Sequence, residues 1–394
     1  MLGGVIYGKK YLENRPVVEK DKYVAFSDEV WGIIKDNYWN KLSEEQLNKV
    51  YALGLEKILE GQHNVLSVPK DKAGLRELLR AEIEKKQSDE EKENLVVQLA
   101  DLVLANLEPF GRSRLYTLKE EKELSNNVNN VNPTADRYKE LGLTKEASPE
   151  AIVQAYKKKP EAKKAYEILS DPVNKKNYDL AGVEPTMEYK LISPKIAYIH
   201  LTRFSPTTVE ELQRVTEKLD KGSQADSLIF DLRDNIGGAI DGLPYFLGPF
   251  IGNDQYAYQF FHQGEKVDFK TVTSWLPGLV RYKKVVILIN ENAQSTAEVM
   301  AAALKRYNTG ITVGTRTKGW GTVEKVFEIK NQISEKSKYS VFLVHSLTLR
   351  EDGLPIEGRG VEPVINITEK NWENQLLKYF EYPPMIEAVK AVCK

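Results

Sequence analysis

Cysteine is almost absent: the 394 residues hold a single thiol, Cys393, beside the carboxy terminus. An intramolecular disulfide and a cysteine metal cage are therefore excluded, and one thiol does not assign a redox compartment. Long hydrophobic runs are missing too. The only hint of targeting is Met1–Gly8 (MLGGVIYG) followed by Lys9-Lys10, far short of the roughly 20 apolar residues of a membrane span. It reads either as the trimmed tail of a membrane anchor upstream or as a plain disordered terminus. Net charge is lacking as well, with 56 Lys and Arg against 57 Asp and Glu, a formal −1. No global field recruits nucleic acid or an anionic membrane. There is no internal repeat and no phosphate-cradling glycine loop, and neither a cofactor nor a metal is expected.

The length calls for two or three domains. From Ser27 the pattern is helical: Asp28 and Glu29 suit a first turn, and Val30, Trp31, Ile34 and Tyr38 recur at helical spacing. Ser43 with Gln46 is a capping box before a stripe running from Leu47 to Ile58, and Gly61 stops it. Two further helices are predicted from about Asp71 to Lys86 and from Ser88 to Leu107, closed by Pro109-Phe110-Gly111. A charged, then asparagine-rich stretch without an apolar face comes next as a linker. From Glu188 short β-rich runs alternate with helices, the signature of an α/β domain. The chain thus divides into a leader 1–26, a helical module 27–118, a linker 119–134, a small helical unit 135–182, an α/β domain 188–368 and a helical extension 369–394. Its class is multidomain α+β.

The small unit carries Tyr138-Lys-Glu-Leu-Gly-Leu143, Ala147-Ser148-Pro149-Glu150 opening a helix, Ala165-Tyr166 leading to Ser170-Asp171-Pro172, and Tyr178-Asp179. This wording resembles a J domain. J domains stimulate a chaperone through a His-Pro-Asp tripeptide after their second helix. Here that loop is Lys157-Lys158-Lys159-Pro160-Glu161, and no histidine lies between His63 and His200. The resemblance implies a spacer or a docking surface for a protein partner rather than a chaperone activator.

Chemistry concentrates in the α/β domain. An apolar strand, Val285–Ile289, runs into a polar turn, and Ser295 then opens a helix. A serine there is exposed, and the Thr296 amide points where an oxyanion forms. Ser295-Thr-Ala-Glu298 is equally a capping box, and taken alone it reads as a plain N-cap. Asp231 to Gly238 (DLRDNIGG) ends another buried strand, where Gly237 and Gly238 let amides approach a carbonyl closely.

Four phrases, DLRDNIGG, NENAQSTAEVMAAAL, VGTRTKGWGTVE and LPIEGRGVEP, resemble in order and spacing the C-terminal processing (tail-specific) serine protease family. The likeness extends upstream to the helical Ser27–Tyr38 segment and to the phrase Leu107–Thr117 (LEPFGRSRLYT). It implies a ClpP/crotonase-like protease domain, protein or peptide substrates, and work in the bacterial cell envelope or another extracytoplasmic site. Between these parts the family carries a PDZ domain, where this chain has the J-like unit.

In the family the serine at the position of Ser295 attacks the peptide carbonyl, and a lysine takes its proton. That lysine falls on Trp320, and a glutamine that orients it falls on Glu324. Lys318, two residues earlier and on the same face of an extended segment, is a candidate base if buried beside Trp320. His200 or His345, oriented by Glu324, is the alternative. Two functions compete: a serine endopeptidase with a rearranged base, and a pseudoprotease that binds protein termini or partners. A third, weaker reading is a chaperone adaptor acting through the J-like unit.

Overall fold

A computed structural model describes residues 21–59, 67–221, 224–335, 337–350 and 352–393. The apolar Met1–Gly8 segment lies outside these residues. Helix α1 (Lys22–Asn37) starts five residues before Ser27, because the Asp21 carboxylate caps the amides of Tyr23 and Val24. Ser27 is buried inside it and donates its hydroxyl to the Tyr23 carbonyl. Helices α2 (Glu44–Ile58), α3 (Lys72–Glu84) and α4 (Asp89–Ala105) come after it, capped by Ser43, Asp71 and Ser88.

This module is not purely helical and does not stand alone. Its last stretch is strand β1 (Arg114–Thr117), paired antiparallel with β10 (Tyr339–Leu349), more than 200 residues away. Leu99, Val103 and Leu104 of α4 share one core with Val341 and Leu343 of β10. The helices therefore share one continuous core with a sheet of the second half. Nor is the linker irregular. Residues Leu118–Val128 form helix α5, started by a Thr117–Glu120 capping box, yet α5 buries no residue.

The small unit comprises α6 (Arg137–Leu141), α7 (Pro149–Lys158), α8 (Lys163–Ser170) and α9 (Pro172–Ala181). They enclose their own core of Tyr138, Leu141, Ile152, Ala165, Ile168 and Leu169. Ion pairs fix the unit to the α/β domain and the segment leading into it: Arg137 and Lys164 both reach the buried Glu184. Asp171 also takes Lys218 at 2.6 Å.

Strands β2 (Met187–Ser193), β3 (Ile196–Leu201), β4 (Ser227–Asp231), β7 (Lys284–Ile289), β8 (Ile311–Gly314) and β11 (Ile365–Asn366) form a six-stranded sheet in the order β11-β8-β7-β4-β3-β2. Only the β2–β3 pair is antiparallel. Every residue of β4 is buried, as a parallel strand covered on both faces must be. One face carries α10 (Thr208–Asp220), α11 (Leu243–Ile251), the short α12 (Pro277–Val280) and α13 (Thr296–Arg306). The other carries α14 (Trp372–Phe380) and α15 (Pro383–Val392), whose Leu376, Met385 and Val389 pack on Ile229, Val286 and Leu288. The second sheet is antiparallel, with β6 (Glu265–Lys270) on β5 (Tyr256–His262), β5 and β1 on β10, and β9 (Thr322–Glu328) also on β10. Among the described residues no helix is long and apolar enough to cross a membrane.

Candidate active site

The adjacent parallel strands β4 and β7, in register with Asp231 opposite Leu288, deliver the loops at their carboxyl ends to the same edge of the sheet. The carboxyl ends of such strands are where open α/β sheets bind ligands. The loop after β7 places Ser295 at φ 58°, ψ −126°, a conformation that costs a non-glycine residue roughly 1–3 kcal/mol. Two partners hold it there: the Ser295 amide donates to the Trp320 carbonyl at 3.1 Å and to Glu298 Oε2 at 2.9 Å.

The loop after β4 meets it. A Cβ on Gly237 would lie 2.7 Å from the Ser295 Cβ and 3.1 Å from its Oγ, and one on Gly238 only 1.9 Å from the Phe204 carbonyl oxygen. Both residues also adopt positive φ, so glycine is required twice over. The Gly237 amide is already committed to Asn235 Oδ1 at 2.8 Å. Asn235 is fully buried and holds the Leu201 carbonyl with its other end. Among the described residues the amides of Gly238 and Thr296 have no protein acceptor. The Thr296 hydroxyl donates to the Gly238 carbonyl at 2.9 Å, which ties the glycine turn to the start of α13. Of the three candidate oxyanion donors, Gly238 and Thr296 are thus free, and Gly237 supplies close approach instead.

The 317–324 segment is less simple. Lys318 is exposed, and its Nζ donates to Gln294 Oε1 at 2.5 Å. The burial that would make it a base is absent from the free protein. Its backbone amide binds the Ala293 carbonyl at 3.0 Å, so it does lie beside the Ser295 loop. The half-buried Trp320 indole has the Arg112 guanidinium 3.4 Å from its ring centroid and Lys318 Nζ at 5.3 Å. Arg112 also pairs with Glu357 at 3.2 Å, and Glu357 accepts the Gly321 amide. Glu324 takes the Trp320 Nε1–H at 3.3 Å and the Thr322 hydroxyl. Burial pushes its pKa up, against those donors.

Neither histidine joins this group. On β3, Ala197, Ile199 and Leu201 turn into the core beneath α13, so alternation sends His200 to the opposite face. There its Nε2 sits 3.1 Å from the Arg233 carbonyl. Burial works against its charged form, but Glu188 and Asp231 outweigh burial and raise its pKa. His345 stacks on His262 at 4.2 Å and lies 3.3 Å from Lys325 Nζ. Burial, Lys325 and His262 together push it down to about 4. Glu324 pairs across the sheet with Val344 and so presents its side chain on the face opposite Lys325, away from that histidine pair. Arg112, Asn235, Gln294 and Glu357 all lie inside the family-like phrases, but only tertiary contact singles them out.

Fold and site together set Ser295 and a glycine turn at the carboxyl ends of a largely parallel sheet. Residues 195–367 match the family model described as Peptidase family S41. The matched segment lies within the α/β domain. A probable CtpA-like serine protease of Staphylococcus haemolyticus (strain JCSC1435) is 26% identical over 189 residues, 48% of this chain and 36% of that protein. Its counterpart in Staphylococcus epidermidis (strain ATCC 35984 / DSM 28319 / BCRC 17069 / CCUG 31568 / BM 3577 / RP62A) is 27% identical over 179 residues, 45% of this chain and 35% of that one. The match thus spans about a third of these relatives' length. The solved photosystem II D1 C-terminal processing protease shares the fold, with a TM-score of 0.52 at 15% identity over 89% of this chain and 94% of that one.

Proposed function

We propose that the chain is a serine endopeptidase of the C-terminal processing type, acting on polypeptides, whose proton acceptor is Lys318. The observation that carries this is Ser295 itself: it is held in a strained conformation against Gly237, beside two amides that lack an acceptor. Ser295 Oγ attacks the peptide carbonyl carbon and gives its proton to Lys318 Nζ. The oxyanion sits on the Gly238 and Thr296 amides. Collapse expels the amine, which takes the proton from Lys318, and water then hydrolyses the acyl-enzyme.

A lysine open to water is protonated at neutral pH. The exposed Lys318 would become a base once a bound polypeptide covers the groove, and activity would then depend on substrate. The curated relatives are named serine proteases, which favours this reading. An extracytoplasmic location is part of the same proposal, and the J-like unit, anchored through Glu184 and Asp171, serves as a fixed spacer or docking surface.

One observation favours the second reading, a pseudoprotease that binds protein termini or partners without cutting: Trp320, on which the resemblance puts the family's lysine, is clamped under Arg112. A fluorophosphonate probe separates the two. Labelling of the wild type that Ser295→Ala abolishes supports the peptidase. If neither protein labels, the binding reading replaces it.

A further inference from the structure

The Glu298 carboxylate has no exposed surface, and its hydrogen-bond partners are four neutral donors. Oε2 accepts the amides of Ser295 at 2.9 Å and Trp320 at 2.7 Å. Oε1 accepts the Gly319 amide at 2.7 Å and the Thr317 hydroxyl at 2.6 Å. Burial raises its pKa, and these donors oppose the rise. A capping box needs only the first of the four. The other three come from a different loop, the one that carries Lys318 and Trp320. That loop is tied onward, since the Thr317 hydroxyl accepts the Val361 amide at 2.7 Å and must send its own proton to Glu298.

We propose that Glu298 is a positioning residue: through one carboxylate it holds the strained Ser295 backbone and the 317–320 loop in fixed relation, and so sets the distance between nucleophile and proton acceptor. The part about the proton acceptor rests on the peptidase reading above; the structural coupling does not. Among the described residues no other side chain joins the Ser295 amide to Gly319 and Thr317. The other links between the two loops are the hydrogen bonds from the Ser295 amide to the Trp320 carbonyl, from the Lys318 amide to the Ala293 carbonyl and from Lys318 Nζ to Gln294 Oε1.

Glutamine separates a cap from a strut. Capping boxes accept Glu or Gln equally at this position, and the volume is the same. An ionised carboxylate offers acceptors on both oxygens, whereas an amide offers one oxygen and one NH2. In Glu298→Gln, if the oxygen stays with Ser295 and Trp320, the NH2 group faces the Gly319 N–H, donor against donor. An orphaned buried amide of this kind opens readily.

The experiment uses the full chain and two readouts: amide hydrogen exchange across 317–321, and the rate of fluorophosphonate labelling at Ser295. Glu298→Gln is expected to speed exchange at Gly319 and Trp320 roughly tenfold or more. It should slow labelling by about a hundredfold at saturating probe while leaving the half-saturating probe concentration nearly unchanged. Wild-type exchange in Glu298→Gln would overturn the proposal and leave Glu298 a helix cap. If the variant fails to fold, Thr317→Val removes one of the four donors, and unchanged exchange at 319–320 in that protein would overturn it equally. If the wild type does not label at all, the peptidase reading falls, and the exchange arm alone decides the coupling.

Discussion

Replacing Gly237 by alanine places a methyl group 2.7 Å from the Ser295 Cβ, 3.0 Å from the Gln294 carbonyl oxygen and 3.1 Å from the Ser295 Oγ, at a backbone φ of +83°. Two costs add. An L-residue in the left-handed region loses about 1–2 kcal/mol. Forcing a methyl into occupied space costs about 1–3 kcal/mol more. The sum, about 2–5 kcal/mol, is a large share of the 5–15 kcal/mol that usually separates folded from unfolded chains. Gly264→Ala isolates the first cost, because Gly264 also has positive φ, +93°, and nothing lies within 4 Å of its Cβ position. The assay is the denaturant midpoint of both variants, then labelling of the folded protein. Gly237→Ala should lose about 1–3 kcal/mol more than Gly264→Ala. A displacement of the Ser295 Oγ near 1 Å should cut its labelling rate by about a hundredfold, while Gly264→Ala labels normally. Equal stability losses and equal labelling in the two variants would refute the contact between the glycine turn and the serine.

Lys318→Ala is expected to abolish cleavage of an unfolded protein substrate as fully as Ser295→Ala, because members of one catalytic unit fail together; full activity in Lys318→Ala would assign the proton to another group. His345 titrates near 4 in the folded chain against about 6.5 when unfolded. The unfolded state therefore binds more protons in that window, and stability should rise with pH from about 4 to 6.5. Denaturant midpoints measured across that range should flatten in His345→Gln. Leu343→Ala, at a fully buried position where β10 meets the amino-terminal helices, should cost about 2–5 kcal/mol. A single thermal transition at lower temperature is expected, since helices and sheet share that core; separate transitions for the two would contradict the shared packing.

Local chemistry made much of this chain legible from sequence. The capping box at Ser43, the serine that opens α4 at Ser88, the uninterrupted apolar runs of β4 and β7, and the change of period at Glu188 are short-range signals, and the structure places helices and strands there. The start of α1 escaped because Asp21, a single side chain, outcompetes the acidic turn at Asp28-Glu29. Helix α5 escaped because a helix that buries nothing has no apolar period to read. The phrases around Gly237, Ser295 and Trp320 pointed to the candidate site, since strand ends, glycines and a helix start are written locally. Their meeting was not. That Gly237 yields its amide to Asn235 while Gly238 and Thr296 keep theirs depends on residues from three loops. Burial of Lys318 was expected from its neighbour Trp320, but burial is a property of the whole surroundings. Arg112, from a phrase more than 200 residues away, stacks on the indole, while Lys318 stays exposed with its Nζ on Gln294 Oε1 and 5.3 Å from the ring centroid. The same holds for Glu298. Sequence alone determines that it can cap a helix; only the fold brings Thr317, Gly319 and Trp320 to the other lone pairs of its carboxylate, because a hydrogen bond is decided by distance in space and not by distance along the chain.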